Sequence, residues 1–239
     1  MHTASTLALI LPALATAYPS SILPRQDTTC APLHIISARG STEDPGEGTT
    51  LAPVSAQIRA QIAGADTTAL DYPAGIVDPE YMISESEGTT NLAADLMSYA
   101  DQCGCSGSKI ALLGFSQGAQ VVMDTLCGTD ELLFKDSPPE TAQTVVSMLS
   151  SAVAFGDPSH IAGLSYDRGN GTKNGVFPRL DTGACDPFAT IIRNYCNDGD
   201  PFCDSGDDLD AHVDGAYVRA HGDDAVTWVV SNFNGNPTG

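Results

Sequence analysis

Five consecutive residues, Gly114-Phe115-Ser116-Gln117-Gly118, form a G-x-S-x-G pentapeptide where an apolar run gives way to a helix-compatible one. Lys109-Ile110-Ala111-Leu112-Leu113 reads as a short buried strand, and Gln117 to Leu126 places Ala119, Val122 and Leu126 at helical spacing. Strand, sharp turn and helix is the setting in which a serine becomes a nucleophile. The flanking glycines leave room for the turn, which lifts the hydroxyl above the sheet edge, and the backbone N–H groups that follow sit at a helix N-terminus, where they can hold an oxyanion. The bland alternative is an ordinary Gly-rich turn between a strand and a helix. The flanking pattern favours the nucleophile, and with it serine-hydrolase chemistry.

A serine hydroxyl needs a base, and the base needs a group to orient it. Of the five histidines, His2 falls in an apolar N-terminal segment and His34 inside a strand-like run, where a satisfied strand histidine is expected. His160, His212 and His221 remain, and all follow Ser116, as the chain order nucleophile, acid, histidine requires. His160 comes too soon after the strand ending at Phe155 to leave an acid-bearing loop between, apart from Asp157. His212 lies in a polar loop, Ser205 to Gly215, with Asp200 upstream in the Cys196 to Cys203 loop. Spacing therefore ranks His212 above His221 and leaves both Asp200 and Asp157 open as the acid.

These residues need a scaffold, and the chain alternates strand-like and helix-like runs along its length. Leu33 to Ser37, Thr67 to Tyr72, Lys109 to Leu113, Ser151 to Phe155 and Ile191 to Tyr195 read as strands. Pro53 to Ile62, Asn91 to Ala100, Gln117 to Leu126 and Asp223 to Asn232 read as helices, and Ala142 to Leu149 fits either. Gly40 to Thr50 and Pro79 to Thr90 read as loops. Such alternation implies a mostly parallel sheet covered on both faces, with ligands at the carboxyl ends of the strands.

Ten Lys plus Arg against thirty Asp plus Glu give a formal charge of −20, which argues against nucleic acid or anionic membranes as partners and suggests a working pH below neutral. Thr6 to Leu11 is apolar but too short to cross a bilayer, and Ala15-Thr16-Ala17 offers a cleavage site. Residues 1–17 thus read as a secretory signal, 18–29 as a tail or pro-segment, and 30–239 as one domain. No later segment is apolar enough to span a membrane. Seven cysteines on a secretory route are expected mostly as disulfides, with one left over. They lack the spacing of a metal site, and Asp207, Asp208 and Asp210 lack that of a calcium loop. No cofactor or metal is implied.

Four separated motifs together resemble the fungal cutinase and acetylxylan esterase family. They are Cys30 with Ile35-Ile36-Ser37-Ala38-Arg39-Gly40-Ser41-Thr42-Glu43, Cys105 upstream of the Ser116 pentapeptide, Tyr195-Cys196-Asn197-Asp198-Gly199-Asp200-Pro201-Phe202-Cys203, and His212. The resemblance runs from Cys30 to about Asn232 and implies a three-layer α/β sandwich of the lidless, cutinase-like α/β-hydrolase kind. Carried over by position, it implies Ser116 as nucleophile, Asp200 as acid and His212 as base. It further implies an oxyanion hole from the backbone N–H groups of Ser41 and Gln117, with the Ser41 hydroxyl as a further donor. The implied disulfides are Cys30 to Cys105 and Cys196 to Cys203, leaving Cys103, Cys127 and Cys185 unassigned.

Cutinases resemble one another in an aliphatic run before the histidine. Here the run is Asp204-Ser205-Gly206-Asp207-Asp208-Leu209-Asp210-Ala211, an acidic rim that suits a hydroxyl-rich polymer better than an alkyl one. Gly163-Leu164-Ser165-Tyr166, after Phe155-Gly156-Asp157-Pro158, also looks closer to the acetylxylan esterase branch. The expectation is a secreted, monomeric esterase that deacetylates xylan or a similar plant cell-wall polymer, with a cutinase as the alternative and a catalytically dead, wall-binding homologue as the rival outside enzymes. Asn170-Gly171-Thr172 is an N-glycosylation acceptor. Trp228 and Tyr217 read as core, and Tyr81-Met82-Ile83 as a loop that touches substrate.

Overall fold

Among the described residues, six strands, all parallel, pair in the order β2-β1-β3-β4-β6-β5. They are β1 (Leu33–Ala38), β2 (Asp66–Ala69), β3 (Lys109–Phe115), β4 (Leu149–Phe155), β5 (Asp167–Gly169) and β6 (Ile192–Cys196). The computed structural model describes residues 30–213 and 215–236. The expected signal at 1–17 and tail at 18–29 lie outside the described residues. β1, β3, β4 and β6 are buried almost throughout, as continuous apolar runs in a sheet covered on both faces should be.

Side chains alternate across the sheet and so make two cores. Ile36, Ile110, Leu112, Ala152 and Ile192 face α2 (Tyr81–Cys103), α3 (Gln117–Cys127) and α4 (Gln143–Met148). Leu33, Ile35, Leu113, Val153 and Tyr195 face α1 (Leu51–Gln61) and α5 (Ala216–Phe233). The result is a three-layer α/β sandwich with every strand's carboxyl end at one edge. Among the described residues, no helix is long and apolar enough to cross a membrane.

Several boundaries differ from expectation, each for a physical reason. Tyr81-Met82-Ile83 is not a loop but the start of α2, whose polar first half packs through small contacts. Ser84, Glu85 and Thr89 are buried, and a Cβ on Gly88 would come within 2.7 Å of Val121 and 2.8 Å of Tyr72. Close packing through glycine and polar groups hides the apolar period. β5 is a three-residue polar edge strand with no pattern to read. The ambiguous Ala142 to Leu149 stretch is helix to Met148 and strand from Leu149. Tyr217 and Trp228 are core residues, as expected.

α2 and α3 are tied together by buried charge. Asp124 of α3, Glu85 of α2 and Glu131 of the following loop gather around one guanidinium, Arg179, and all four are at most 5% exposed. Arg179 pairs with Asp124 and donates to the Gly128 carbonyl, and it sits 3.1 Å from Glu131. Thr89 donates to Glu85 at 2.5 Å. Burial raises all three carboxyls, with like-charge neighbours adding to it and Arg179 opposing. Glu131 is pushed up to about 8.

The described sulfurs correct one expectation. Cys30 bonds Cys103, not Cys105, and Cys105 is the free, exposed thiol. Cys103 closes α2 and turns inward at 1% exposure, whereas Cys105 follows in the turn beyond the helix. Cys127 bonds Cys185, and Cys196 bonds Cys203.

Candidate active site

Ser116 sits between β3 and α3 with φ +54° and ψ −121°, a backbone conformation that non-glycine residues rarely adopt. Its N–H is held by the Phe155 carbonyl at 2.8 Å. The turn is possible because its flanks carry no Cβ. One on Gly118 would lie 2.0 Å from the Ala38 carbonyl oxygen, and one on Gly114 would lie 2.5 Å from the Gly118 carbonyl oxygen. Gly118 therefore brings the chain leaving β1 directly against the start of α3.

The structure brings Ser116, His212 and Asp200 together. His212 Nε2 lies 3.0 Å from Ser116 Oγ, and its Nδ1 lies 2.7 Å from Asp200 Oδ2. Ser116 is partly exposed, whereas His212 and Asp200 are buried at 4% and 0%. Phe115 stacks on the imidazole at 5.0 Å and Phe202 lies against it at 4.5 Å. Gly156, at φ +64°, clears the ring's path, since a Cβ there would come within 2.8 Å of His212 Cε1.

Asp200 is fixed by its own loop, whose Cys196 to Cys203 disulfide encloses it. Its Oδ1 accepts the N–H groups of Phe202 at 2.7 Å and Cys203 at 3.2 Å, and its Oδ2 also accepts the Tyr217 hydroxyl at 2.5 Å. Burial alone would raise the Asp200 carboxyl. The bond and charge of His212, then Tyr217 and the Phe202 N–H, outweigh it and hold the group below its ordinary range.

The loop after β1 is equally well braced. Glu43 accepts the Gly40 N–H at 2.6 Å and the Thr49 N–H at 2.7 Å, while Arg39 donates to the carbonyls of Glu43 and Tyr72 at 2.9 and 2.8 Å. Tyr72 returns a bond to the Arg39 carbonyl at 2.5 Å. Ser41 follows directly, and its hydroxyl is buried without a partner. Gln117 is fully buried, and its side chain donates to Gly75 at 2.9 Å and accepts from Ser84 at 2.9 Å. As the first residue of α3, Gln117 keeps a backbone N–H that the helix itself does not use.

The other candidates lie elsewhere. Asp157 accepts bonds from Ser159 and Asn194, and His160 Nδ1 faces the Cys203 carbonyl at 3.0 Å. His221 faces Asn197 at 2.8 Å, and His34 pairs with Asp66 at 2.7 Å. Asn170 is exposed just beyond β5. Asp204 does not belong to the acidic rim. It is fully buried, accepting the N–H groups of Thr172, Lys173 and Gly199, so that of the four carboxylates in that run Asp207, Asp208 and Asp210 face solvent. The roles of Arg39, Glu43 and Tyr217 escaped the sequence reading. Arg39 and Glu43 stand inside a motif that was legible, but nothing in it marks them as braces.

Fold and hydrogen-bonded chain together define an α/β-hydrolase with a serine at the turn that follows the central strand. The family model for cutinases matches residues 29–233, and the chain belongs to the cutinase family, one of carboxylic ester hydrolases. Acetylxylan esterase 2 of Talaromyces purpureogenus is 29% identical over 212 residues, covering 86% of this chain and 88% of its own. Cutinase 11 of Verticillium dahliae is 31% identical over 240 residues, covering 96% of this chain and 77% of its own. The solved structure of an iodinated acetylxylan esterase complex matches with a TM-score of 0.79 at 28% identity, covering 86% of this chain and 100% of its own.

Proposed function

We propose that the protein is a secreted serine esterase that removes short acyl groups, acetyl above all, from xylan or a similar plant cell-wall carbohydrate. The observation that carries the chemistry is the chain from Ser116 through His212 to Asp200, at 3.0 and 2.7 Å. His212 takes the Ser116 proton as Oγ attacks the ester carbonyl, and Asp200 holds the tautomer and stabilises the imidazolium. The alkoxide of the tetrahedral intermediate is met by the N–H groups of Ser41 and Gln117 and by the unpartnered Ser41 hydroxyl, at the positive end of α3. His212 then protonates the leaving alcohol. Water, deprotonated by the same imidazole, hydrolyses the acyl-enzyme.

Three exposed carboxylates before His212, at Asp207, Asp208 and Asp210, support a hydroxyl-rich substrate, and so do the acetylxylan esterases among the relatives. A second reading, a cutinase, has its own support. Phe202 on His212, Val176 beside it and Leu209 are 37%, 42% and 53% exposed. Ile76 and Val77, on the loop that Gln117 holds, are 52% and 83% exposed. These offer apolar area to an alkyl chain.

The test is a rate series on p-nitrophenyl esters from acetate to palmitate, with acetylated xylan and cutin alongside and Ser116→Ala as control. A steep fall beyond butyrate with acetate released from xylan supports the first reading. A maximum at butyrate or longer, with cutin monomers released, makes the protein a cutinase. Absence of Ser116-dependent turnover on every ester would leave a wall-binding homologue. Asn170 is proposed to carry a glycan, which a mass shift on deglycosylation would report.

A further inference from the structure

Tyr217 lies five residues after His212 in the first turn of α5, and it is fully buried. Its hydroxyl donates to Asp200 Oδ2 at 2.5 Å, the same oxygen that faces His212 Nδ1 at 2.7 Å. With two backbone N–H groups on Oδ1, the carboxylate carries four donors on two oxygens, which fills its accepting capacity. Phenol and imidazole therefore compete for one oxygen.

We propose that Tyr217 is a positioning residue that sets the proton affinity of the base, drawing density from Asp200 Oδ2 so that His212 stays neutral, and able to accept the Ser116 proton, at more acidic pH. This rests on the reading of Ser116, His212 and Asp200 as the catalytic triad. A carboxylate whose charge is fully available stabilises the imidazolium and makes the histidine harder to deprotonate. A second strong donor on the same oxygen reduces that pull.

The geometry makes Tyr217 the donor in its bond to Asp200. Its oxygen accepts the Asn197 N–H at 3.2 Å, so its proton points at Asp200. Cys203 Sγ, 3.2 Å away, is in a disulfide and has no proton to give. Burial, then the charge of Asp200, holds the phenol proton far more tightly than usual. Other titratable groups near the pair include His221, with its ring 6.2 Å from that of Tyr217, Asp204 in the acid's own loop, and the exposed Asp208 and Asp210 on the turn that leads into His212. The ring is held independently of the hydroxyl, against Phe155 at 5.8 Å and Phe115 at 6.1 Å, so Tyr217→Phe removes one atom and keeps the packing.

The experiment measures kcat/KM for p-nitrophenyl acetate against pH in the full chain and in Tyr217→Phe, with product read after quenching at one fixed pH. The acidic limb is expected to move up by about one pH unit in the variant, the size of shift that one charge-assisted hydrogen bond produces. The His212 imidazole, titrated by NMR in Ser116→Ala with and without Tyr217→Phe, should shift by the same amount without any turnover. Uniform 3-fluorotyrosine labelling makes the phenol a stronger donor and should move the limb the opposite way, which keeps the question answerable if Tyr217→Phe does not fold. An unchanged limb and imidazole titration, whatever the loss of rate, would make Tyr217 a structural filler and overturn the proposal. Full activity in Ser116→Ala would instead sink the triad reading itself.

Discussion

Glu131→Gln should blunt the loss of stability that alkali causes in this protein. Three carboxyls, Glu85, Asp124 and Glu131, surround the single guanidinium of Arg179, so full ionisation would bury a net charge of about −2. The phenols of Tyr81 and Tyr166 nearby stay neutral, and Asp157, also close, is occupied by Ser159 and Asn194. Glu131 rises from 4.5 to about 8, first by burial and then by the charge of Asp124, against the pull of Arg179. Between those two values the folded chain keeps a proton that the unfolded chain has released, so stability falls as pH rises through the window and levels off above it. One proton is worth about 1.4 kcal/mol per pH unit, or about 3 kcal/mol from pH 5 to pH 7.5. The amide keeps the size and an oxygen for Arg179 but has nothing to titrate. Urea unfolding at pH 5, 6.5 and 8 should show the wild type losing stability about one proton more steeply than the variant, with the variant the more stable at pH 8. Parallel curves for the two proteins would refute the reasoning.

Three further outcomes follow from the site and its surroundings. Ser41→Ala is expected to lower kcat by about 10²-fold with little change in KM, since the hydroxyl meets charge only in the transition state; a change confined to KM would remove Ser41 from the oxyanion hole. Gly118→Ala forces a Cβ to 2.0 Å from the Ala38 carbonyl oxygen, so the turn must open, and both esterase rate and melting temperature should drop. Titration of the folded protein with a thiol reagent should find one fast-reacting group, abolished by Cys105→Ser; a fast thiol persisting in that variant would contradict the Cys30 to Cys103 pairing.

What the sequence discloses of this architecture depends on how each part earns its stability. β3 and α3 are legible because one is a continuous apolar run and the other carries apolar residues at helical spacing, with the serine at the junction. The first half of α2 is not, because it packs through Gly88 and through Ser84, Glu85 and Thr89, whose burial depends on partners far along the chain. The same holds at the site. Ser116 announces itself by its glycines, and Asp200 and His212 stand in loops where spacing favours them. The contributions of Arg39, Glu43 and Tyr217 consist of hydrogen bonds across sequence separations of 3 to 33 residues, and no local pattern encodes those. The pairing of Cys30 turned on which of two cysteines, two residues apart, faces inward, which the helix end decides.

The covalent ring from Cys196 to Cys203 has a consequence for how the protein is made. Asp200 lies four residues after Cys196 and three before Cys203, in a loop closed by sulfur, and its two backbone donors belong to that ring. A chain in which this bond alone is open would be expected to form the sheet and helices yet present the acid on an open loop, giving a soluble product with native-like circular dichroism and little turnover. Competence would then arrive by oxidation after the backbone has already folded, and preparations with the same fold would differ in specific activity according to the fraction of that one bond formed.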